Sequence, residues 1–226
     1  MIYFFLLLII LTPGIGIALY IYFLDHKEPE PIRMIIVSFF LGILSFLLSL
    51  LFAILSSRIL NINPDHHLTN NSSIQSFGLS GFLEEMCKFL LVMIFLYRNK
   101  NFNEPMDGIV YTVMVAMGFA TAENFLYTYS NGGSAAIVRM FSAIPAHALF
   151  AIIMGYFLGK AKFLHRHEAW YAVAGLLVAS IFHGFYDYFI TLNSTPGIWF
   201  GSVIAFVLML YLSGKALKLH QRSSPF

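Results

Sequence analysis

Charge is what this sequence has least of: Asp, Glu, Lys and Arg make up 11% of its 226 residues, whereas 59% are hydrophobic. That balance leaves too little polar surface to clothe a water-soluble globule, which excludes a soluble enzyme or binding module and places the chain in a membrane. Cysteine is nearly missing as well. The single Cys87 excludes an intrachain disulfide and any CxxC metal or redox motif. The opening MIYFFLLLIILTPGIGIALYIYFL lacks a basic n-region and a small-x-small cleavage site, so it reads as a retained span rather than a cleaved signal. No repeat, low-complexity tract or HExxH spacing is found, and the net charge of +2 needs no nucleic acid to explain it.

The apolar segments divide into seven expected spans, at 3–24, 34–56, 79–97, 108–129, 136–158, 170–190 and 197–213, each near the ~20 residues that cross a hydrocarbon core. They predict an all-α polytopic membrane protein, one domain over 1–226 with about seven transmembrane helices. Tyr and Trp gather near the span ends, among them Tyr20, Tyr97, Tyr127, Trp170 and Tyr211, as interfacial belts do. Lys27, Arg33, Arg98, Lys100, Lys160, Lys162, Lys215 and Lys218 fall in alternate connections and the tail, so the positive-inside rule puts the N-terminus outside and the C-terminus inside. The longest connection, 57–78, is then extracytoplasmic. Its Asp65-His66-His67 reads as solvated loop rather than a metal site, because no further ligands are spaced with them.

The few charges inside the spans carry the functional signal. At ~1.5 Å of rise per residue, Glu84, Glu85, Glu123, His147 and His183 fall in one layer across four spans. Each is costly at mid-membrane and normally faces a bundle interior or a wet cavity, so together they predict one outward-opening polar chamber. Glu84 and Lys88 are i,i+4, with Glu85 about 100° away, so either carboxylate can take the lysine while the other faces elsewhere. His183 and Asp187, also i,i+4, let a carboxylate orient the imidazole. Pro145 frees the carbonyl of Phe141 and loosens the fifth span beside His147. Gly155-Tyr-Phe-Leu-Gly159 reads as a close-packing face.

Such a chamber can deprotonate a confined water for attack on a peptide carbonyl, with imidazole stabilising the oxyanion. A zinc held by Glu84 or Glu85, Glu123 and His183 is the rival within the enzyme class. A Cys87–His183 nucleophilic pair is weaker, because Cys87 sits in an apolar helix. Two other classes use the same buried groups: a proton-coupled transporter as a relay, an immunity-type or scaffold protein as structural ties.

At these residues the chain resembles the PrsW intramembrane proteases. The resemblance runs through Pro13-Gly14, Glu28-Pro29, SFFLG at 38–42, GFLEE at 81–85 with Lys88, DGIVY at 107–111, GFATAEN at 118–124, His147 with MGYFLGKA at 154–161, and HGFYD at 183–187. It implies a bacterial cytoplasmic-membrane endopeptidase making the first cut in a single-pass anti-sigma factor, with Glu84, Glu85 and His183 essential and Glu123 beside them. The family is distantly similar to the type II CAAX prenyl endopeptidases, which carry histidine where Glu123 stands and asparagine where Asp187 stands. The expected catalytic set is Glu84 as general base with Glu85 its alternative, Glu123, and His183 held by Asp187. His147, Lys88 and Asn124 support it, and no metal is assigned.

Overall fold

A computed structural model describes residues 2–59, 74–164, 167–191, 200–223 and 225. The Asp65-His66-His67 stretch therefore lies outside the described residues, as does most of the 57–78 connection. The described chain is helical: α1 Ile2–Leu24, α2 Ile32–Ile59, α3 Glu85–Leu91, α4 Pro105–Asn131, α5 Gly133–Phe141, α6 Ala143–Phe163, α7 Glu168–Thr191 and α8 Phe200–Ser223. Wide π-helical turns continue α3 on both sides, Ile74–Glu84 before it and Val92–Leu96 after it. Six helical stretches among the described residues are long and apolar enough to cross a membrane.

Three expected spans are corrected. The span at 79–97 is not one uniform helix but a π–α–π succession, and its winding changes between Glu84 and Glu85. The span at 136–158 is two helices broken at Ser142 (φ −122°, ψ −79°). Pro145 explains the break: it has no N–H to offer Phe141, so the chain turns three residues earlier, and the new helix starts with Ala146 N–H donating to Ser142 O at 3.0 Å. The last span, expected to end at 213, runs on to Ser223, because Lys215, Lys218 and Arg222 are good helix formers that continue it beyond the apolar segment.

α4 is the central helix, packed by α1, α2 and α6, and every residue from Met106 to Thr121 is buried. Glycine sets how close its neighbours come. A Cβ on Gly155 would stand 2.3 Å from Gly108 O, and one on Gly159 2.4 Å from Pro105 O, so α6 lies directly on the α4 backbone, as the Gly155–Gly159 spacing predicts. The same device seats the π-helical segment on α7, where a Cβ on Gly81 would meet Ser180 O at 2.7 Å and Gly184 N at 2.8 Å. That contact brings Glu84 and Glu85 up to His183. Outward faces of α1, α2 and α8 expose Phe5, Phe23, Phe40 and Ile204, as lipid-facing surfaces should.

Candidate active site

The winding change gives the two adjacent glutamates different directions and different tasks. Glu85 turns inward and its side chain is 1% exposed; Lys88 Nζ donates to its Oε1 at 2.6 Å. The lysine thus pairs with the second carboxylate, one of the two arrangements the spacing left open. Its Nζ also stands 3.1 Å from His147 Nδ1 and 4.0 Å from the centre of the Phe119 ring, so the buried cation has a carboxylate, an imidazole and an aromatic face around it.

Glu85 reaches further. Its Oε1 also accepts from His183 Nδ1 at 2.9 Å. One group that fixes the His183 ring is therefore Glu85; Asp187 Oδ2 lies 3.5 Å from the other nitrogen, Nε2. Asp187 thus faces the ring at Nε2 as expected, and Glu85 is an additional anchor at Nδ1, brought across from the neighbouring element by the Gly81–Gly184 contact. With Nδ1 committed, Nε2 is the nitrogen left for chemistry. Phe150 stacks on the ring at 4.8 Å and His147 meets it edge-on at 5.0 Å.

His147 has a defined tautomer for a similar reason. An ammonium cannot accept, so Nδ1 accepts from Lys88 and Nε2 carries the proton to Glu123 Oε2 at 2.9 Å. Arg139 Nη2 donates to that same Glu123 oxygen at 2.5 Å. Arg139 is not among the site residues expected from the sequence. Its position inside an apolar segment is the signal that could have found it, because a membrane-embedded arginine needs a partner; the helix break at Ser142 supplies the geometry by turning α5 toward the end of α4.

Glu84, Glu123, His147, His183, Asp187 and Arg139 line one cavity of about 320 Å³. Glu85 and Lys88 sit behind its wall, and Asn124, expected as a supporting residue, is fully buried without lining it. A second cavity, about 390 Å³, shares Glu84 and Glu123 with the first and reaches the flank of α2 at Phe46, Leu50 and Ala53. Glu84 stands out within this arrangement: its Oε2 is enclosed with no hydrogen-bond partner and lies 3.9 Å from His183 Nε2. A buried carboxylate oxygen normally has a donor, so this one is placed to receive a ligand. Carboxylate and imidazole atoms of Glu84, His147 and His183 lie within 4.8 Å of one another, and this donor set suits zinc with an open position. His183 Nε2 and Glu84 Oε2 fit as they stand; His147 fits on giving up its Nε2 proton. Compared with the set the sequence suggests, His147 joins while Glu85 and Glu123 withdraw.

The chain is similar to known proteins over most of its length. The sequence profile described as "PrsW family intramembrane metalloprotease" matches residues 30–212. Proteins named Protease PrsW are similar along most of their length: that of Bacillus subtilis is 36% identical over 205 residues, 90% of this chain and 89% of its own. That of Geobacillus kaustophilus is 34% identical over 190 residues, 84% and 81% of the two chains. The Clostridioides difficile protein is 32% identical over 195 residues, 83% and 79%. No solved structure matches the chain. The family's description makes a metal possible at the Glu84–His147–His183 group, where the sequence reading assigns none. With its multi-pass helical fold and its polar intramembrane chamber, the chain belongs to the PrsW family of intramembrane metalloproteases and is a protease.

Proposed function

We propose that the chamber hydrolyses a peptide bond of a single-pass membrane protein by water that the Glu84 and Glu123 carboxylates activate. The observation that carries this is the unpartnered Glu84 Oε2, enclosed on the chamber wall beside His183 Nε2. A water there has a carboxylate to take its proton while its oxygen bonds to the scissile carbonyl carbon. Protonated His183 Nε2 donates to the oxyanion that forms, held in aim by Glu85 through Nδ1. The same carboxylate then returns its proton to the leaving amine nitrogen as the C–N bond breaks. Glu123 is kept in place by Arg139 and His147.

Zinc held by Glu84, His147 and His183 would supply a Lewis acid at this spot and lower the pKa of the water on it. Glu123 is then the carboxylate left free to take the water's proton.

The substrate that the sequence resemblance implies is a single-pass anti-sigma factor, cut near its outer membrane boundary. The chamber's place in the bundle supports the same boundary: it lies at the end where α4 finishes and α6 begins, opposite the end that carries Lys27, Arg98, Lys100, Lys160 and Lys162. The second cavity, reaching the α2 flank, offers an extended peptide a way in from lipid. Proteoliposomes test the reading. Cleavage of a reconstituted single-pass substrate is the expected result; solute-driven proton flux without cleavage would replace the protease with a transporter.

A further inference from the structure

At the opposite end of the bundle a second group of carboxylates is buried away from the chamber. Asp25 follows α1, Glu28 and Glu30 lie in the connection to α2, and Glu104 and Asp107 open α4. Asp25 is 3% exposed, and Glu104 and Asp107 are fully buried. The protein holds one side of this group firmly. Asp107 Oδ2 accepts from the N–H groups of Asn103 at 2.6 Å and Glu104 at 2.8 Å, Asn103 Nδ2 donates to Glu28 Oε1 at 3.0 Å, and Tyr111 OH donates to Glu30.

The other side is left bare. Asp25 Oδ2, Glu28 Oε2 and Asp107 Oδ1 are enclosed without a hydrogen-bond partner, and the Glu104 carboxylate beside them caps α4 at the Asp107 N–H. One oxygen each from Asp25, Glu104 and Asp107 lies within 4.8 Å of the others. Unpaired buried carboxylates are costly, and several sharing one spot are costlier still through their mutual repulsion. Oxygen is the only donor type present. An all-oxygen, multiply anionic set of this kind selects a hard divalent cation over zinc or copper.

We propose that Asp25, Glu104 and Asp107 hold a hard divalent cation, Ca²⁺ or Mg²⁺, with Glu28 at the mouth of the site. The ion ties the α1–α2 connection to the start of the central helix α4, on the face opposite the chamber. It is independent of the protease reading.

Terbium, a luminescent stand-in for Ca²⁺, tests it on chelator-treated full-length protein in nanodiscs of zwitterionic lipid. Saturable tyrosine-sensitised emission is expected, because Tyr111 is bonded to Glu30 within the group, and Ca²⁺ or Mg²⁺ should compete it away; the stronger competitor identifies the ion. Glu104→Gln and Asp107→Asn should weaken terbium binding at least about tenfold, because affinity follows ligand charge, while Glu84→Gln and His183→Ala should leave it unchanged. Should the α4 variants fail to fold, Asp25→Asn makes the same test, and Ca²⁺ should raise the melting midpoint of the unsubstituted protein but not of this variant. No saturable emission, emission undiminished in Glu104→Gln or Asp25→Asn, or emission lost in Glu84→Gln would each overturn the proposal.

Discussion

One oxygen of Glu85, Oε1, accepts from Lys88 Nζ at 2.6 Å and from His183 Nδ1 at 2.9 Å. The second glutamate of the pair is thus a structural hub that aims the histidine, while the first, Glu84, faces the cavity. The two should fail differently on substitution. Glu85→Gln leaves Lys88 buried beside a neutral amide, and breaking such a pair costs about 3–5 kcal/mol. A lowered melting midpoint and lost activity are expected together. Adding Lys88→Met to Glu85→Gln removes the orphaned cation and should recover much of the midpoint but little activity, because His183 still lacks its anionic anchor. Equal stability of Glu85→Gln and the unsubstituted protein would contradict this division.

Arg139 holds Glu123 from outside the expected motif set. Arg139→Ala should reduce turnover by about tenfold or more, consistent with loss of a charge-assisted bond worth roughly 1.5–3 kcal/mol. In the Glu123→Gln background the same change should add little, since the amide no longer needs the cation. Additive losses in the double variant would show that Arg139 acts elsewhere.

Metal content is a separate observable. If Glu84, His147 and His183 hold zinc, the protein purified without chelator should carry close to one ion per chain at the chamber. Glu84→Gln and His183→Ala should lose it, and Asp187→Asn should keep it. Elemental analysis decides this without an activity assay. Protein free of zinc and fully active after chelation would leave water activation to the carboxylates alone.

Sidedness follows from where the basic residues collect. In a Cys87→Ala background, a cysteine at exposed Asn131, on the rim of the second cavity beside the chamber, should react with an impermeant reagent added outside intact cells, and one at exposed Lys100 should not. The reverse pattern would turn the chamber toward the cytoplasm.

Much of this site is legible in the sequence because lipid makes polar residues conspicuous. Glu84, Glu85, Glu123, His147 and His183 are rare charges in apolar segments, and equal depth alone brings them together. Whether Glu84 or Glu85 meets Lys88 is not legible, since it depends on a change from π to α winding that no periodicity announces. Nor is the partner of His183: the i,i+4 rule points to Asp187 within one helix, and the shorter bond comes from Glu85 on another element. The break before Pro145 is signalled by proline, but its effect on Arg139 depends on the direction the chain takes after Ser142. Asp25 lies too far from Glu104 and Asp107 along the chain for spacing to unite them, and only the packing of the α1–α2 connection on α4 does so.

The most direct test of the chamber as the hydrolytic centre is turnover of a single-pass substrate by Glu84→Gln in proteoliposomes, beside unsubstituted protein of matched insertion and melting midpoint. Gln keeps the shape of the side chain and cannot take a proton. Turnover should fall by about 10²–10⁴-fold, the range that removal of a general acid–base group produces, with the midpoint little changed because Glu84 Oε2 has no hydrogen bond to lose. Turnover equal to that of the unsubstituted protein would contradict the account, whatever the metal content.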